Sequence, residues 1–231
     1  MTTDEYWQMF HLIRGDIESA VASNTTYFKI RNMAASDRAI LDKFNRAPYF
    51  WNLNAYSLQT TFFISLGRLF DKRKDAWSIY DLTEHTIEHI GLFSKASLRE
   101  RKRAGLGTNG KDPDWLENYV ANAWEPTRSD LKNLGDAIVP YADKFHETYQ
   151  PIRHIYFAHR GKMGADDIVG LFGKTQISDA TDIIRFLYTL VFAIWEIHLN
   201  GRKPDLSDVQ KYDSYVKVLS DDVEKLIRGL A

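Results

Sequence analysis

Apolar residues recur at intervals of three and four along most of the chain, the period of one face of an α-helix. Tyr6, Phe10, Ile13, Ile17 and Ala20 mark such a face and predict a helix over residues 4–21. Ser36 is placed to cap a second helix with Ile40, Leu41 and Phe44 inside. After Pro48, an apolar run over residues 49–70 has no turn residue before Gly67. It is far too long for a strand and predicts a central helix. Ser78 or Asp81 starts a helix to residue 90, with Leu82, Ile87 and Ile90 as a weak inner face. A short helix follows Asp112 and Pro113 and runs to residue 123, and Thr127 with Asp130 forms a capping arrangement. Leu131, Leu134, Ile138, Tyr141, Phe145 and Tyr149 mark a helix over residues 129–150, which Pro140 should kink and Pro151 should end or bend. A short turn is expected at residues 166–172. Ser178 or Asp179 caps a helix over residues 180–200 that Gly201 and Pro204 terminate. The last helix, residues 207–228, carries a narrow seam of Val209, Tyr212, Val216, Leu219, Val223 and Leu226, suited to a partner helix in this chain or another copy.

No segment alternates with period two between hairpin turns. The pattern therefore predicts an all-α chain, an antiparallel helical bundle forming one domain over residues 1–231. Residues 94–111 interrupt it. Lys95, Arg99, Arg101, Lys102, Arg103 and Lys111 face Glu100 alone there, and Gly105–Gly110 is turn material, so this stretch reads as a basic, mobile loop insertion. Arg99, Arg101, Lys102 and Arg103 are candidate RNA or phosphate contacts. The plainer reading is a solvated loop after a surface helix.

Composition narrows the chemistry. The formal net charge is −1, so nucleic-acid affinity must come from a local patch. The absence of cysteine removes disulfides, thiol nucleophiles and cysteine-type zinc sites, and fits a cytoplasmic protein. The acidic, aromatic start lacks the pattern of a signal peptide. The most apolar segment, residues 183–199, is interrupted by Arg185, Glu196 and His198 and reads as a buried helix, so no membrane is expected.

Three motifs compete for function. His85-Thr-Ile-Glu88-His89 matches a metalloprotease pattern, and two histidines four apart on a helix could hold zinc with Glu88 as base. No third ligand is identifiable, so it reads as a polar helix surface and no metal is assigned. Gly173-Lys174-Thr175 resembles the end of a phosphate-binding loop, but residue 168 is isoleucine and no strand precedes it. The third is Pro151-Ile-Arg-His-Ile-Tyr-Phe-Ala-His-Arg-Gly161, with two arginines and two histidines within residues 153–160. Arginine offers a permanent fork for phosphate oxygens, and histidine moves protons near neutral pH.

Arg153-His154 followed four residues later by His159 resembles the arginine–polar–histidine signature of the HEPN superfamily of helical ribonucleases and nucleotide-binding modules. Ala158-His159-Arg160 and Ser65-Leu-Gly-Arg-Leu-Phe-Asp71 resemble its abortive-infection U-type (AbiU2-like) branch. The resemblance implies RNA cleavage without a metal or cofactor, at a cleft between two copies of the domain, in a toxin or phage-defence setting with a neutralising antitoxin protein as a candidate partner. It implies that Arg153 clamps phosphate, His159 transfers protons, His154 supports either role and Arg160 binds a neighbouring phosphate. The other reading is a non-catalytic module that binds RNA, a nucleotide or a protein.

Geometry sets a condition. Six residues on an ideal α-helix rotate a side chain by about 240°, so Arg153 and His159 share a phosphate only if the helix ends or distorts between them. The alternative is Arg153 of one copy serving with His159 of another.

Overall fold

The computed structural model describes residues 1–105, 112–158 and 164–229. Among these residues every regular element is helical, and the helices form an antiparallel bundle.

Helix α1 (Thr3–Ser36) starts on a capping box between Thr2 and Glu5 and buries Tyr6, Phe10, Ile13, Ile17 and Ala20, the predicted face. It continues fifteen residues beyond the expected end at residue 21. The continuation contains Ser23, Asn24, Thr25 and Thr26, poor helix formers. Packing against α3 (Pro48–Leu69) and α12 (Gln210–Gly229) overrides that propensity. Ser23 and Ser36 also bond back to the carbonyls of Ser19 and Asn32 at 2.7 and 2.8 Å, which satisfies their hydroxyls within the helix. Asp37, not Ser36, caps α2 (Arg38–Arg46), accepting from the N–H groups of Ala39 and Ile40. A carboxylate at that position outcompetes a hydroxyl already bonded within α1.

Helix α3 opens with Pro48 in its first turn, where the missing N–H costs nothing. Its C-terminal half buries Phe62, Phe63, Leu66 and Leu69, while Tyr49, Phe50, Leu53 and Tyr56 in its N-terminal half are exposed. Ser78 and Asp81, alternatives on sequence, act together as the capping box of α4 (Ile79–Glu88). A single 3-10 turn (Ile90–Phe93) then leads into α5 (Lys95–Ala104), capped by Ser94. The expected loop insertion is thus corrected over residues 95–104, which are helical; residues 106–111 lie outside the described residues.

Helices α6 (Trp115–Asn122) and α7 (Arg128–Asp136) follow, the second on the predicted Thr127–Asp130 box. The chain breaks before Pro140, which occupies the first turn of α8 (Val139–Lys144). A π-helical segment (Phe145–Tyr149), the single turn α9 (Gln150–Ile152) and a second π-helical segment (Arg153–Ala158) come next. Helix α10 (Ala165–Phe172) stands where a turn was expected. Helix α11 (Ile177–Asn200) runs through the core and ends at Gly201, whose φ of 58° is left-handed and admits glycine without strain.

Helix α12 lays its seam along α1, so its partner belongs to the same chain. Tyr212 and Ile227 are buried, whereas Leu226 is 65% exposed. The step of four from Val223 to Ile227 keeps the stripe on α1, and Leu226 falls outside it. Lys29 and Glu224 clasp the pair at 2.6 Å. Among the described residues, no helix is long and apolar enough to cross a membrane.

Candidate functional site

The site begins with Pro151. Proline inside a helix supplies no N–H and its ring collides with the carbonyl four residues back. Here helical winding continues through the proline to Ala158. It widens on both sides of the proline, and the N–H of Gln150 reaches back five residues to the carbonyl of Phe145. The wider winding changes which residue shares a face with Arg153; His159, on which the geometric condition was set, lies outside the described residues. With five-residue bonds the rotation per residue falls to roughly 80°, so the fifth residue on lies roughly 40° from the first instead of about 140°. Arg153 and Ala158 accordingly line the same wall of one cleft, together with His154.

That cleft measures about 760 Å³ and is also lined by Gly67, Phe70, Asp71, Lys72, Arg73, Phe145, His146 and Gln150. Its floor is aromatic: Phe70 and Phe145 stack at 4.8 Å. The second π segment is anchored from behind by Phe157, stacked on Phe63 of α3 at 4.7 Å, a contact worth about 0.5–1.5 kcal/mol beyond its buried area.

Arg153 lies across the backbone of α3 at Gly67. A β-carbon at position 67 would sit 2.6 Å from Arg153 Nε, 3.1 Å from its Cδ and 3.2 Å from its Cγ. Only glycine leaves that channel open. The Nε of Arg153 is buried and has no hydrogen-bond partner among the described residues. This gives the 65–71 motif a physical reading. Leu66, Leu69 and Phe70 are core, Gly67 admits the arginine, Arg68 turns outward to Asp16 at 3.1 Å, and Asp71 borders the cleft. Asp71 holds Arg73 through its side-chain and main-chain N–H groups, at 3.0 Å each. Lys72 lies 5.6 Å from the centre of the Tyr80 ring.

His154 is exposed on the cleft wall. His159 and Arg160 lie outside the described residues.

The other predicted cations are directed elsewhere. Arg99 pairs with Glu117, and Arg103 with Asp112 at 2.6 Å. Arg101 donates to the carbonyls of Leu92, at 2.8 Å, and His198, and burial lowers its pKa. Lys102 donates to Asn200 Oδ1 at 3.0 Å and lies over the Tyr119 ring. Carboxylates from α6 and the segment before it thus balance a run that looked unopposed in sequence, and two of the cations tie down the end of α11. Arg99, Arg101, Lys102 and Arg103 do not line the cleft of Arg153. In the metalloprotease-like motif, His85 Nδ1 bonds Glu88 at 2.5 Å, while His89 sits past the helix end with its ring 5.5 Å from that of Tyr6. The two imidazoles serve different partners.

Sequence reasoning missed four cleft residues: Lys72, Arg73, His146 and Gln150. His146, Gln150, Arg153 and His154 recur at three- and four-residue steps, a polar stripe beside the apolar stripe of Phe145, Tyr149 and Ile152. That stripe was the available signal.

The arrangement is that of an all-α module whose chemistry-bearing groups converge where an irregular helix crosses a central one. The AbiU2 family of HEPN domains matches residues 4–226, nearly the whole chain, and the protein belongs to that family. No curated protein and no solved structure matches it.

Proposed function

We propose that this protein is a metal-independent endoribonuclease of toxin or phage-defence type, acting in the cytoplasm as a symmetric homodimer and held in check by a neutralising protein partner. The observation that carries the reading is Arg153, threaded over Gly67 with a buried, unpartnered Nε, on the wall of an open cleft that also holds Lys72 and His154. A guanidinium held this way is preorganised for phosphate oxygens.

In the proposed reaction the RNA 2′-oxygen attacks the adjacent phosphorus and gives its proton to His159, the residue next in sequence to Ala158. The bond from phosphorus to the 5′-oxygen breaks, leaving a 2′,3′-cyclic phosphate and a 5′-hydroxyl. Arg153 stabilises the charge on the non-bridging oxygens, His154 supports it, and Arg160 holds a neighbouring phosphate. The self-contained pairing of Arg99, Arg101, Lys102 and Arg103 favours the cleft, not α5, as the RNA site.

The homodimer is supported by an exposed apolar row on α3. Tyr49 is 91%, Phe50 59% and Leu53 64% exposed, and Tyr56 continues the row to Phe157 on the Arg153 helix, ring centres 6.0 Å apart. A second copy covering this row would bring two Arg153 clefts close together. The test is purified protein with RNA in excess EDTA. Cleavage by the wild type and loss of it in the Arg153→Ala, His159→Ala double variant is the expected result, and undiminished cleavage by that variant removes the site. Saturable RNA binding without product, across several RNA types, would replace the reading with a non-catalytic binding module.

A further inference from the structure

His146 belongs to no motif, yet both of its ring nitrogens have a hydrogen-bond partner. It lies on the first π segment and lines the same wall as Arg153. Its Nε2 is 3.2 Å from the hydroxyl of Tyr80 on α4, and its Nδ1 is 2.8 Å from Oε1 of Gln150, one turn along. An amide oxygen only accepts, so Nδ1 carries a proton in this state.

The two partners are unequal. Tyr80 is half-buried behind the cleft and does not line it. Burial first, and the nearby Asp143 second, push its pKa up to about 12, so the phenol stays neutral. A neutral phenol donates or accepts equally well, and can therefore hold Nε2 whether or not that nitrogen bears a proton. Gln150 is exposed and lines the cleft. Its amide oxygen occupies a position where an oxygen entering from the cleft would meet Nδ1. The other titratable groups lining the cleft are Lys72, Arg73 and Asp71 from the segment after α3, and Arg153 with His154 from its own helix.

We propose that His146 is a second proton-transfer group of the cleft, delivering its Nδ1 proton to the 5′-oxygen that leaves, with Tyr80 as the positioning residue behind it and the Gln150 oxygen marking the place of the acceptor. The proposal rests on the ribonuclease reading above. His146 starts as the imidazolium, with Nε2–H on the Tyr80 oxygen. As the bond from phosphorus to the 5′-oxygen breaks, Nδ1 gives up its proton and the imidazole ends neutral with Nε2–H still on Tyr80. The proton taken from the 2′-hydroxyl by His159 and the proton given by His146 balance, and one exchange with solvent restores both groups.

The test compares an ordinary RNA oligonucleotide with one whose scissile linkage carries sulfur in place of the 5′-oxygen. A thiolate leaves without being protonated, so loss of the acid is silent on that substrate. His146→Gln should slow ordinary RNA by about 10²-fold and the sulfur-bridged RNA by less than about threefold. Tyr80→Phe removes one hydroxyl from the supporting side and should slow ordinary RNA by about tenfold with the sulfur-bridged RNA unchanged. Equal slowing on both substrates, with unfolding temperatures near wild type, would make His146 a structural or binding residue and overturn the proposal, as would no slowing on either. Arg153→Ala separates the two levels, since it should slow both substrates. If it slows neither, the ribonuclease site itself is wrong, whatever His146 does.

Discussion

Replacing Gly67 by alanine isolates the contact on which the site is built. The new β-carbon would stand 2.6 Å from Arg153 Nε, about 1 Å inside the preferred separation of nonbonded heavy atoms, and also too close to Cδ and Cγ. An overpacked core costs about 1–3 kcal/mol when it cannot yield. Here it can yield, because no hydrogen bond from Nε resists withdrawal of the guanidinium. Alanine also gains about 0.8–1 kcal/mol over glycine inside a helix. The two effects oppose each other, so Gly67→Ala should leave stability within about 1 kcal/mol of wild type, a shift in Tm of about 2–4 °C at most for a chain of this size. Activity should not be spared. A displacement of about 1 Å in a positioned group costs about 10²-fold in rate. Cleavage of RNA in EDTA should therefore fall by about that factor in a protein whose thermal unfolding is nearly unchanged. A double-variant cycle sharpens the test, because Arg153→Ala in the Gly67→Ala background should cost little further activity. Gly67→Ala with wild-type kcat/KM, or fully additive losses, would refute the idea that Gly67 exists to let Arg153 through.

Arg101→Ala should lower stability by about 1–3 kcal/mol, because the part-buried carbonyls of Leu92 and His198 each lose a charged donor, yet leave RNA cleavage intact; urea unfolding and the EDTA assay check both halves. His198 is 8% exposed, and its pKa is depressed to about 4, first by burial and then by the Arg101 guanidinium, against an opposing hydrogen bond to Leu92. Between pH 6.5 and about 4 the unfolded chain binds a proton that the folded one refuses, so stability should fall over that window, by about 2 kcal/mol after allowance for residual solvent screening, and level off below it. His198→Gln should flatten that slope in urea titrations across pH. RNA binding by the His159→Ala protein should weaken with salt at about 0.7 logarithmic units per neutralised phosphate, and Lys72→Ala should reduce the slope by about that amount. Leu53→Asp changes a side chain that is 64% exposed, so the monomer should fold normally while sedimentation shows loss of the dimer and the EDTA assay shows loss of cleavage. A wild type that cleaves as a monomer would contradict this.

The helical bundle was legible in sequence because its signals are local. The face of α1, the capping box at Thr127 and Asp130 and the glycine end of α11 each depend on residues within a few turns of one another. The misreadings share the opposite cause. Residues 99–103 looked like a free cationic patch because their partners, Glu117, Asp112, His198 and Asn200, lie between 9 and 98 positions away. The second half of α1 looked unhelical because its support comes from α3 and α12. Arg153 and His154 were singled out by their spacing. Gly67 was quoted within a motif, but the reason for it is a contact 86 residues distant that no local pattern records.

Pro151 joins these levels. An ordinary helix through residues 145–158 would set Arg153 and Ala158 about 140° apart. The proline forbids that helix by removing one donor and crowding one carbonyl. A chain break at this point would release Phe145, Tyr149 and Ile152, each no more than 1% exposed, from the core, so ending the helix is costly. Widening is the remaining solution: the apolar stripe stays buried, and the polar stripe of His146, Gln150, Arg153 and His154 is turned into one cleft. The irregularity is therefore the cheapest way to bury the aromatic side of a proline-containing helix. The convergence of cationic and imidazole groups on its other side follows from the same winding.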